Sequence, residues 1–321
     1  MEDTIVMPVL HQAPHRVLGF DVSKATLTVF DSQTEQVREI DNRPAAIRRF
    51  LASFDSTCFA VCEPTGGFEL DLIAQLAAAG IPCHRVDALK VKAYIRSFGT
   101  LAKTDALDAR GLALYGLDRW AGLALFTPAQ ADQRALSELV ARRHDLLALK
   151  VAEGNRAQAP SGQAVTASCK AMLRAIKRQI AAIEEQIEAL IGRSQKLRDR
   201  IECFQSLPGV GHCTAIALAA YMPELGTLPR RQAAALAGVA PHANDTGIFR
   251  GHRTMRGGRA VVRRTLFMAA LAASRANGPL KTFYQRLRQN GKKPIVAVAA
   301  LMRKIIVILN ARLRDQIAEQ S

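Results

Sequence analysis

The sequence predicts three parts: an α/β domain, a long helical arm, and a mainly helical, basic C-terminal region. Strand and helix signals alternate from Arg16 to about Phe126, and a charged stretch with apolar residues at helical spacing follows. Beyond Leu207 the chain carries its densest run of Gly and Arg. Because 49% of the 321 residues are hydrophobic, more than one core can form, which excludes a disordered protein. The predicted parts are residues 1–126, 127–204 and 205–321.

The first part contains three strands, a helix, a strand, a helix and a strand, in that order. The predicted strands are residues 17–20, 26–30, 36–40, 58–62 and 82–86, and the predicted helices are residues 42–51 and 68–79. In the second strand, Leu27 and Val29 alternate with Thr28 and so face the opposite side. This order is that of a ribonuclease-H-like α/β domain.

The second part contains two long helical patterns, separated by the breaker Ala159-Pro160-Ser161-Gly162. The apolar positions are Leu136, Leu139, Val140, Leu146 and Leu147 in the first, and Met172, Ile176, Ile180, Ile183, Ile187, Leu190 and Ile191 in the second. Their narrow stripe predicts a helical hairpin or coiled coil. It serves either as an intramolecular spacer or as a dimerisation arm, and the highly charged polar faces slightly favour dimerisation.

Four carboxylates are placed where the predicted fold would bring them together. Asp21 ends the first strand and Glu63 the fourth, and these strands are neighbours in a ribonuclease-H-like sheet. Asp105 and Asp108 share one face of a helix through their i, i+3 spacing. Singly, each has a structural explanation: Asp21 can open a turn, Asp105 can cap the helix, and Asp108 can pair with Arg110 or another surface charge.

Jointly, four clustered acids repel one another, and a hard cation such as Mg²⁺ relieves that repulsion. The predicted metal ligands are therefore Asp21, Glu63, Asp105 and Asp108. One or two such ions beside a phosphodiester stabilise the attacking and leaving oxygens.

The C-terminal region carries most of the net charge of +16. Residues 241–321 hold 16 Lys and Arg against three acids, a net of +13, and residues 1–240 have a net of only +3. Such a region favours a polyanionic partner, first of all nucleic acid. The turn Leu207-Pro208-Gly209-Val210-Gly211 between two helical patterns predicts a helix-hairpin-helix, in which Gly209 and Gly211 let backbone N–H groups approach phosphate.

Six arginines follow between residues 250 and 264 without one acid: Arg250, Arg253, Arg256, Arg259, Arg263 and Arg264. Arginine suits bidentate contact with phosphate, and a solvated basic face is the simpler alternative. Just before them, Asn244-Asp245-Thr246-Gly247 is a tight-turn sequence that also offers a hydroxyl beside a carboxylate, as a nucleophile would require.

The six cysteines are scattered without metal-binding spacing, so we predict that all are small core residues. The acidic, proline-broken N-terminus does not resemble a signal peptide, and the longest apolar runs, such as residues 295–302, are far shorter than a bilayer span. The sequence therefore predicts a soluble, cytoplasmic protein without membrane contact.

Across nearly its whole length the chain resembles the DEDD transposases and recombinases of the bridge-RNA-guided insertion-sequence family, which includes the Piv-type DNA invertases. The matching motifs are Gly19-Phe20-Asp21-Val22-Ser23-Lys24, Glu63-Pro64-Thr65-Gly66, Lys103-Thr104-Asp105-Ala106-Leu107-Asp108-Ala109-Arg110, Leu207-Pro208-Gly209-Val210-Gly211, Leu236-Ala237-Gly238-Val239-Ala240-Pro241, Arg250-Gly251 and Asn290-Gly291-Lys292-Lys293.

The resemblance implies a RuvC-like domain with a Mg²⁺ site, a coiled-coil arm and a C-terminal transposase domain. It implies dimers that pair into a tetramer on target and donor DNA, and a structured bridge RNA that pairs with both. It also implies a serine nucleophile in an acid-Ser-Gly motif, whose position here is Thr246. The predicted nucleic-acid contacts are Gly209, Gly211, Arg250, Arg253, Arg256, Arg259, Arg263, Lys292 and Lys293.

Threonine keeps the hydroxyl but adds a crowding methyl group. Thr246 is then a working nucleophile, part of a weakened or engineered copy, or a bystander to hydrolysis at the metal site. The favoured function is an RNA-guided recombinase with a hydroxyl nucleophile. The alternatives are a RuvC-like metal-dependent junction nuclease that uses water, and a catalytically decayed nucleic-acid-binding protein.

Overall fold

The structure is a computed structural model that describes residues 9–99, 104–127, 130–243, 245–246, 248–251 and 253–320. The chain divides into two compact units, separated in sequence near residue 128. Each unit has its own hydrophobic core: residues of the β-sheet dominate the first, and residues of packed helices dominate the second. The predicted class, an α/β domain followed by a mainly helical region, is confirmed.

The first unit is built on a mixed five-stranded sheet in the order β3-β2-β1-β4-β5. The strands are β1 Arg16–Val22, β2 Thr26–Asp31, β3 Gln36–Asp41, β4 Cys58–Cys62 and β5 Cys83–Arg85. β1 pairs antiparallel with β2 and parallel with β4. All five predicted strands are present, since short apolar runs bounded by turn residues leave little choice of structure.

In the part of the first unit that the structure describes, four α-helices cover the sheet: α1 Pro44–Leu51, α2 Leu70–Ala78, α3 Ala88–Ser97 and α4 Asp105–Arg119. Alternation along β1 sends Leu18 and Phe20 into a core that includes residues of α1 and α2, and Val17 into a core that includes residues of α4. Successive residues of β1 therefore pack on opposite faces of the sheet. Helix α3 was not among the predicted elements.

The second unit begins with a hairpin of two 28-residue helices, α5 Ala131–Gln158 and α6 Thr166–Arg193, joined by a short 3₁₀ turn. The predicted break at residues 159–162 is confirmed. Leu146, Ile176 and Ile180 form a small core between the helices. The start of α5, with Leu136, and the end of α6, with Leu190, pack into the main core of the unit.

The described residues of the second unit form six further helices: α7 Gln195–Gln205, α8 His212–Tyr221, α9 Arg230–Leu236, α10 Ala260–Arg275, α11 Pro279–Gln289 and α12 Pro294–Gln320. Contrary to the prediction that the apolar runs are far shorter than a bilayer span, α12 is long and apolar enough to cross a membrane by length and composition alone. However, Leu301, Ile305 and Leu309 are fully buried in the core of the unit, as in the core helix of a soluble protein.

Two short ladders lie between α9 and α10, in a stretch whose sequence shows little pattern. β6 Pro241–His242 pairs with β9 Thr254–Met255, and β7 Asp245–Thr246 pairs with β8 Phe249–Arg250.

The six cysteines are free thiols, but their predicted burial is wrong for one of them. Four are buried and Cys203 is half-buried, whereas Cys213 is exposed in the first turn of α8. Its neighbour His212 is drawn towards the Glu188 carboxylate, 2.6 Å away on α6.

Candidate functional site: a carboxylate edge on the first unit

Asp21 and Glu63 lie at the same level of the sheet. The last paired residues of the parallel strands β1 and β4 are Phe20 and Cys62, so the two acids occupy the next position. Neighbouring strands are about 4.8 Å apart, and side-chain alternation places both acids on the face covered by α4. The carboxyl ends of two adjacent strands thus present two carboxylates side by side.

Helix α4 approaches this face as closely as backbone atoms allow. A Cβ on Gly19 would lie 2.0 Å from the carbonyl oxygen of Ala109, and one on Gly116 would lie 2.8 Å from a methyl group of Val17. α4 therefore runs antiparallel to β1. From Gly19 to Asp21 the strand advances about 6.6 Å, which is roughly the length of one helical turn. One turn before Ala109 is the first turn of α4, so Asp21 lies level with it.

The first turn of α4 carries Asp105 and Asp108. Thr104, not Asp105, is the N-cap: its hydroxyl accepts a hydrogen bond from the Leu107 N–H at 3.3 Å. The structural interpretation of Asp105 as a cap is therefore wrong. Arg110 does not pair with Asp108 either, since its guanidinium lies over the Phe30 ring, 5.5 Å from the centroid.

The four carboxylates act on one another electrostatically. The pKa of Asp21 is raised to about 6. Burial is the largest cause, and the negative charges of Asp105, Asp108 and Glu63 contribute the rest of the increase. Within the described part of the chain, no three Asp, Glu, His or Cys side chains lie close enough to hold a metal ion together. The four acids therefore form no closed metal-binding cluster among the described residues, although carboxylate oxygens are the donors that a hard divalent cation prefers.

A buried glutamate that the sequence reasoning missed holds the loop after Glu63. Glu69 is 1% exposed, and its Oε2 accepts hydrogen bonds from the N–H groups of Thr65 and Gly67, each at 3.0 Å. Its other oxygen pairs with Arg85 at 3.0 Å. Gly67 has a φ of 101°, a backbone conformation that favours glycine.

A second tether joins the loop after Asp21 to the loop after Glu63. The Asn42 side-chain amide donates to the carbonyl oxygens of Ser23, at 2.8 Å, and Phe68, at 3.0 Å. Asn42 precedes α1 and has no pattern that announces such a role. Its fixed amide links the two strand-end loops and thereby restrains the mouth of the carboxylate edge.

Thr246 lies in the second unit, on the two-residue ladder in which it faces Phe249. The residue is exposed, and the neighbouring Asp245 carboxylate accepts a hydrogen bond from Arg253 at 3.3 Å. Asn244 and Gly247, which complete the predicted tight turn, lie outside the described residues. Asp245 and Thr246 themselves are extended.

Besides Arg253, which pairs with Asp245, two of the predicted phosphate-binding arginines have partners within the second unit, Arg259 and Arg263. Arg259 makes a bidentate pair with Glu224, at 2.8 and 2.6 Å, and donates to the Tyr221 carbonyl oxygen at 2.6 Å. Arg263 donates to the carbonyl oxygens of Gly257 and Gly238, at 2.9 and 3.3 Å. Both side chains hold the turn before α10, a role that their charge alone could not reveal.

The remaining predicted contacts differ in how available they are to a partner. Arg256, Lys292 and Lys293 are exposed and form no ion pair with a described residue, and Arg250 lies on β8. Gly209 has a packing reason instead, because a Cβ there would lie 2.5 Å from that of Ala273. Gly211, at the start of α8, has open space around its Cα.

Comparison with known proteins identifies the class. Residues 18–160 match the profile of DEDD transposases of the IS110 type, and residues 201–285 match the transposase IS116/IS110/IS902 family. Both matches support a DEDD transposase or recombinase of the IS110 family. It is similar to the pilin gene-inverting proteins of Moraxella lacunata and Moraxella bovis, 28% identical over 268 residues and 81% of each chain.

A third relative is the uncharacterized 43.6 kDa protein of insertion element IS110 from Streptomyces coelicolor. It is 35% identical over 112 residues, which cover 34% of this chain and 28% of the relative. The chain is accordingly a DNA transposase or site-specific recombinase, and DEDD transposases are generally metal-dependent.

Proposed function

We propose that the chain is an RNA-guided DNA recombinase that cleaves and rejoins strands with a divalent-metal site and a hydroxyl nucleophile. The observation that supports the proposal is the raised pKa of Asp21, which lies beside Glu63 at adjacent strand ends and is acted on by the charges of Asp105, Asp108 and Glu63. The match to the DEDD transposase model supports it further. RNA guidance, Mg²⁺ as the metal, and a dimer that assembles to a tetramer come from the family resemblance.

The carboxylate edge would hold one or two Mg²⁺ ions, which when bound polarise the phosphoryl oxygen and stabilise the leaving oxygen. Asp21 should gain most from a bound cation, because its raised pKa means that its negative charge lacks a compensating positive charge. Asn42 and Glu69 keep the strand-end loops in place around it.

Thr246 supplies the proposed nucleophile. Its Oγ would form a bond to phosphorus as the phosphorus–oxygen bond of the DNA strand breaks, and the proton would leave with the departing sugar oxygen. Exposure of Thr246 beside an arginine-rich segment supports this assignment. Asp245 is paired with Arg253, so it holds the Arg253 guanidinium close to the proposed nucleophile.

Trapping of a covalent protein–DNA adduct tests the proposal. The full chain is incubated with the RNA and DNA of the segment that encodes it, in the presence of Mg²⁺. We expect an adduct that persists in Thr246→Ser and disappears in Thr246→Ala. Equal adduct in the alanine variant would remove Thr246 from the mechanism.

The second candidate is hydrolysis by a RuvC-like junction nuclease, which the threonine in place of the family serine favours. Free cut ends without any adduct, abolished by Asp21→Asn, would support it. Unchanged function in Asp21→Asn would indicate the third alternative, a decayed nucleic-acid-binding protein.

A further inference from the structure

The near-neutral total of residues 1–240 conceals a strongly basic surface at the far end of the arm. Residues 146–183, the distal half of the α5–α6 hairpin, carry six Lys and Arg and one acid, a net of +5. The proximal half, residues 131–145 and 184–193, carries four basic and six acidic residues, a net of −2. The arm is therefore polarised along its length.

Four of the distal charges form one stripe on α6, which we call the arm stripe: Lys170, Arg174, Lys177 and Arg178. All four are exposed, and none forms an ion pair with a described residue. The positions that face α5 are Cys169, Ile176 and Ile180. At about 100° per residue, the stripe lies roughly 80° to 180° around the helix from this seam, so it faces away from α5.

Helix stability does not explain the arm stripe. Basic residues near a helix N-terminus oppose the helix dipole, and α6 has no acid in its first turn. Residues 166–183 contain no acid that could form i, i+4 pairs with the stripe. A face selected only for solvation would carry both signs, as the proximal half of the arm does.

We infer that the arm stripe binds the phosphate backbone of a nucleic-acid duplex. From Lys170 to Arg178 the helix rises about 12 Å, which matches three to four phosphates of one strand. Arg174 lies about 29 Å along α6 from Arg193. A duplex that contacts both the stripe and the helical core of the unit would therefore be contacted at two points nearly one turn of the duplex apart. The inference rests on the proposed function only for the kind of partner.

Salt-dependent binding of the full chain to a 30-bp DNA duplex and a 30-bp RNA duplex tests the inference. The test variant combines Lys170→Gln, Arg174→Gln, Lys177→Gln and Arg178→Gln, which keep good helix formers at each position. The matched control makes the same change at four exposed arginines of the first unit: Arg38, Arg43, Arg48 and Arg49. Circular dichroism checks that both variants keep their helices.

The slope of log K against log salt should fall by about 3 in the stripe variant and by less than about 1 in the control. A fall with only one duplex identifies DNA or RNA as the partner. Unchanged slopes with both duplexes, or equal falls in both variants, would overturn the inference. Loss of self-association at an unchanged slope would also overturn it and make the stripe a contact between copies. Absence of duplex binding by the wild type would refute the proposed function itself.

Discussion

Replacement of Asp21 by asparagine should stabilise the first unit at neutral pH without metal. Asparagine keeps the size of the side chain and removes its charge. The reason is the raised pKa of Asp21, about 6, which burial causes first and the charges of Asp105, Asp108 and Glu63 reinforce. Ionised Asp21 therefore opposes folding, and its neutral replacement should not.

The size of the effect follows from the difference between about 6 and the ordinary value of 3.8. That difference corresponds to about 3 kcal/mol if it acted in full. Because the carboxyl group is only half-buried, solvent screening should reduce the gain to about 1 to 2 kcal/mol.

The sign of the pH dependence is fixed by linkage. The folded state holds the Asp21 proton more tightly than the unfolded state does. Protonated Asp21 therefore adds its full stabilisation to the wild type below about pH 4, and this contribution is lost as the pH rises through 6. Wild type and Asp21→Asn should then be similar in stability near pH 4 and diverge up to pH 7. Urea unfolding followed by Trp120, the sole tryptophan and part of the first unit, measures this difference.

Asp31→Asn is the matched control. Burial would raise the pKa of Asp31, but hydrogen bonds from Arg16, Thr34 and the Gln33 N–H outweigh it and lower the pKa to about 2. This variant should lose about 2 kcal/mol at pH 7, because the Arg16 guanidinium loses its charged partner. An Asp21→Asn variant that is also destabilised at pH 7, or that tracks wild type between pH 4 and 7, would contradict the raised pKa of Asp21.

Other substitutions separate structural from functional roles. Gly19→Ala should destabilise the first unit by about 3 kcal/mol in Trp120-monitored unfolding, because its Cβ would overlap the α4 backbone. Glu69→Ala should cost about 2 kcal/mol, since it leaves the N–H groups of Thr65 and Gly67 without their buried acceptor and Arg85 without its ion-pair partner. Arg259→Ala should destabilise the second unit by about 1 to 2 kcal/mol in circular dichroism and leave the salt slope of duplex binding unchanged. Arg256→Ala should do the opposite, lowering that slope by about 1 without a change in unfolding.

Elements with strong local signals could be predicted from the sequence. The apolar run of β4 has the predicted bounds, and the helix break at residues 159–162 is where Pro160 and Gly162 place it. Helix α3 was missed because its pattern combines Lys and Arg with exposed Leu89 and Phe98, so no continuous apolar face marks it. Cys213 was expected inside because residue type, not position on α8, decided the prediction.

The candidate site divides in the same way. Strand ends and helix spacing are local properties, and they place Asp21 level with the first turn of α4. Glu69 and Asn42 depend on which loops meet in three dimensions, which no residue pattern records. The same holds for Arg259, whose partner Glu224 lies 35 residues earlier in the chain. A count of positive charges could not separate such internal pairs from surfaces that are open to a phosphate.

The most direct test of the account is divalent-cation binding by the full chain, measured by calorimetric titration with Mn²⁺ as the probe. Wild type and Asp31→Asn should bind the ion with similar affinity, because Asp31 pairs with Arg16 away from the carboxylate edge. Asp21→Asn and Glu63→Gln should each lose that binding or weaken it at least tenfold. Undiminished Mn²⁺ binding in both of these variants would contradict a metal site built from the four carboxylates.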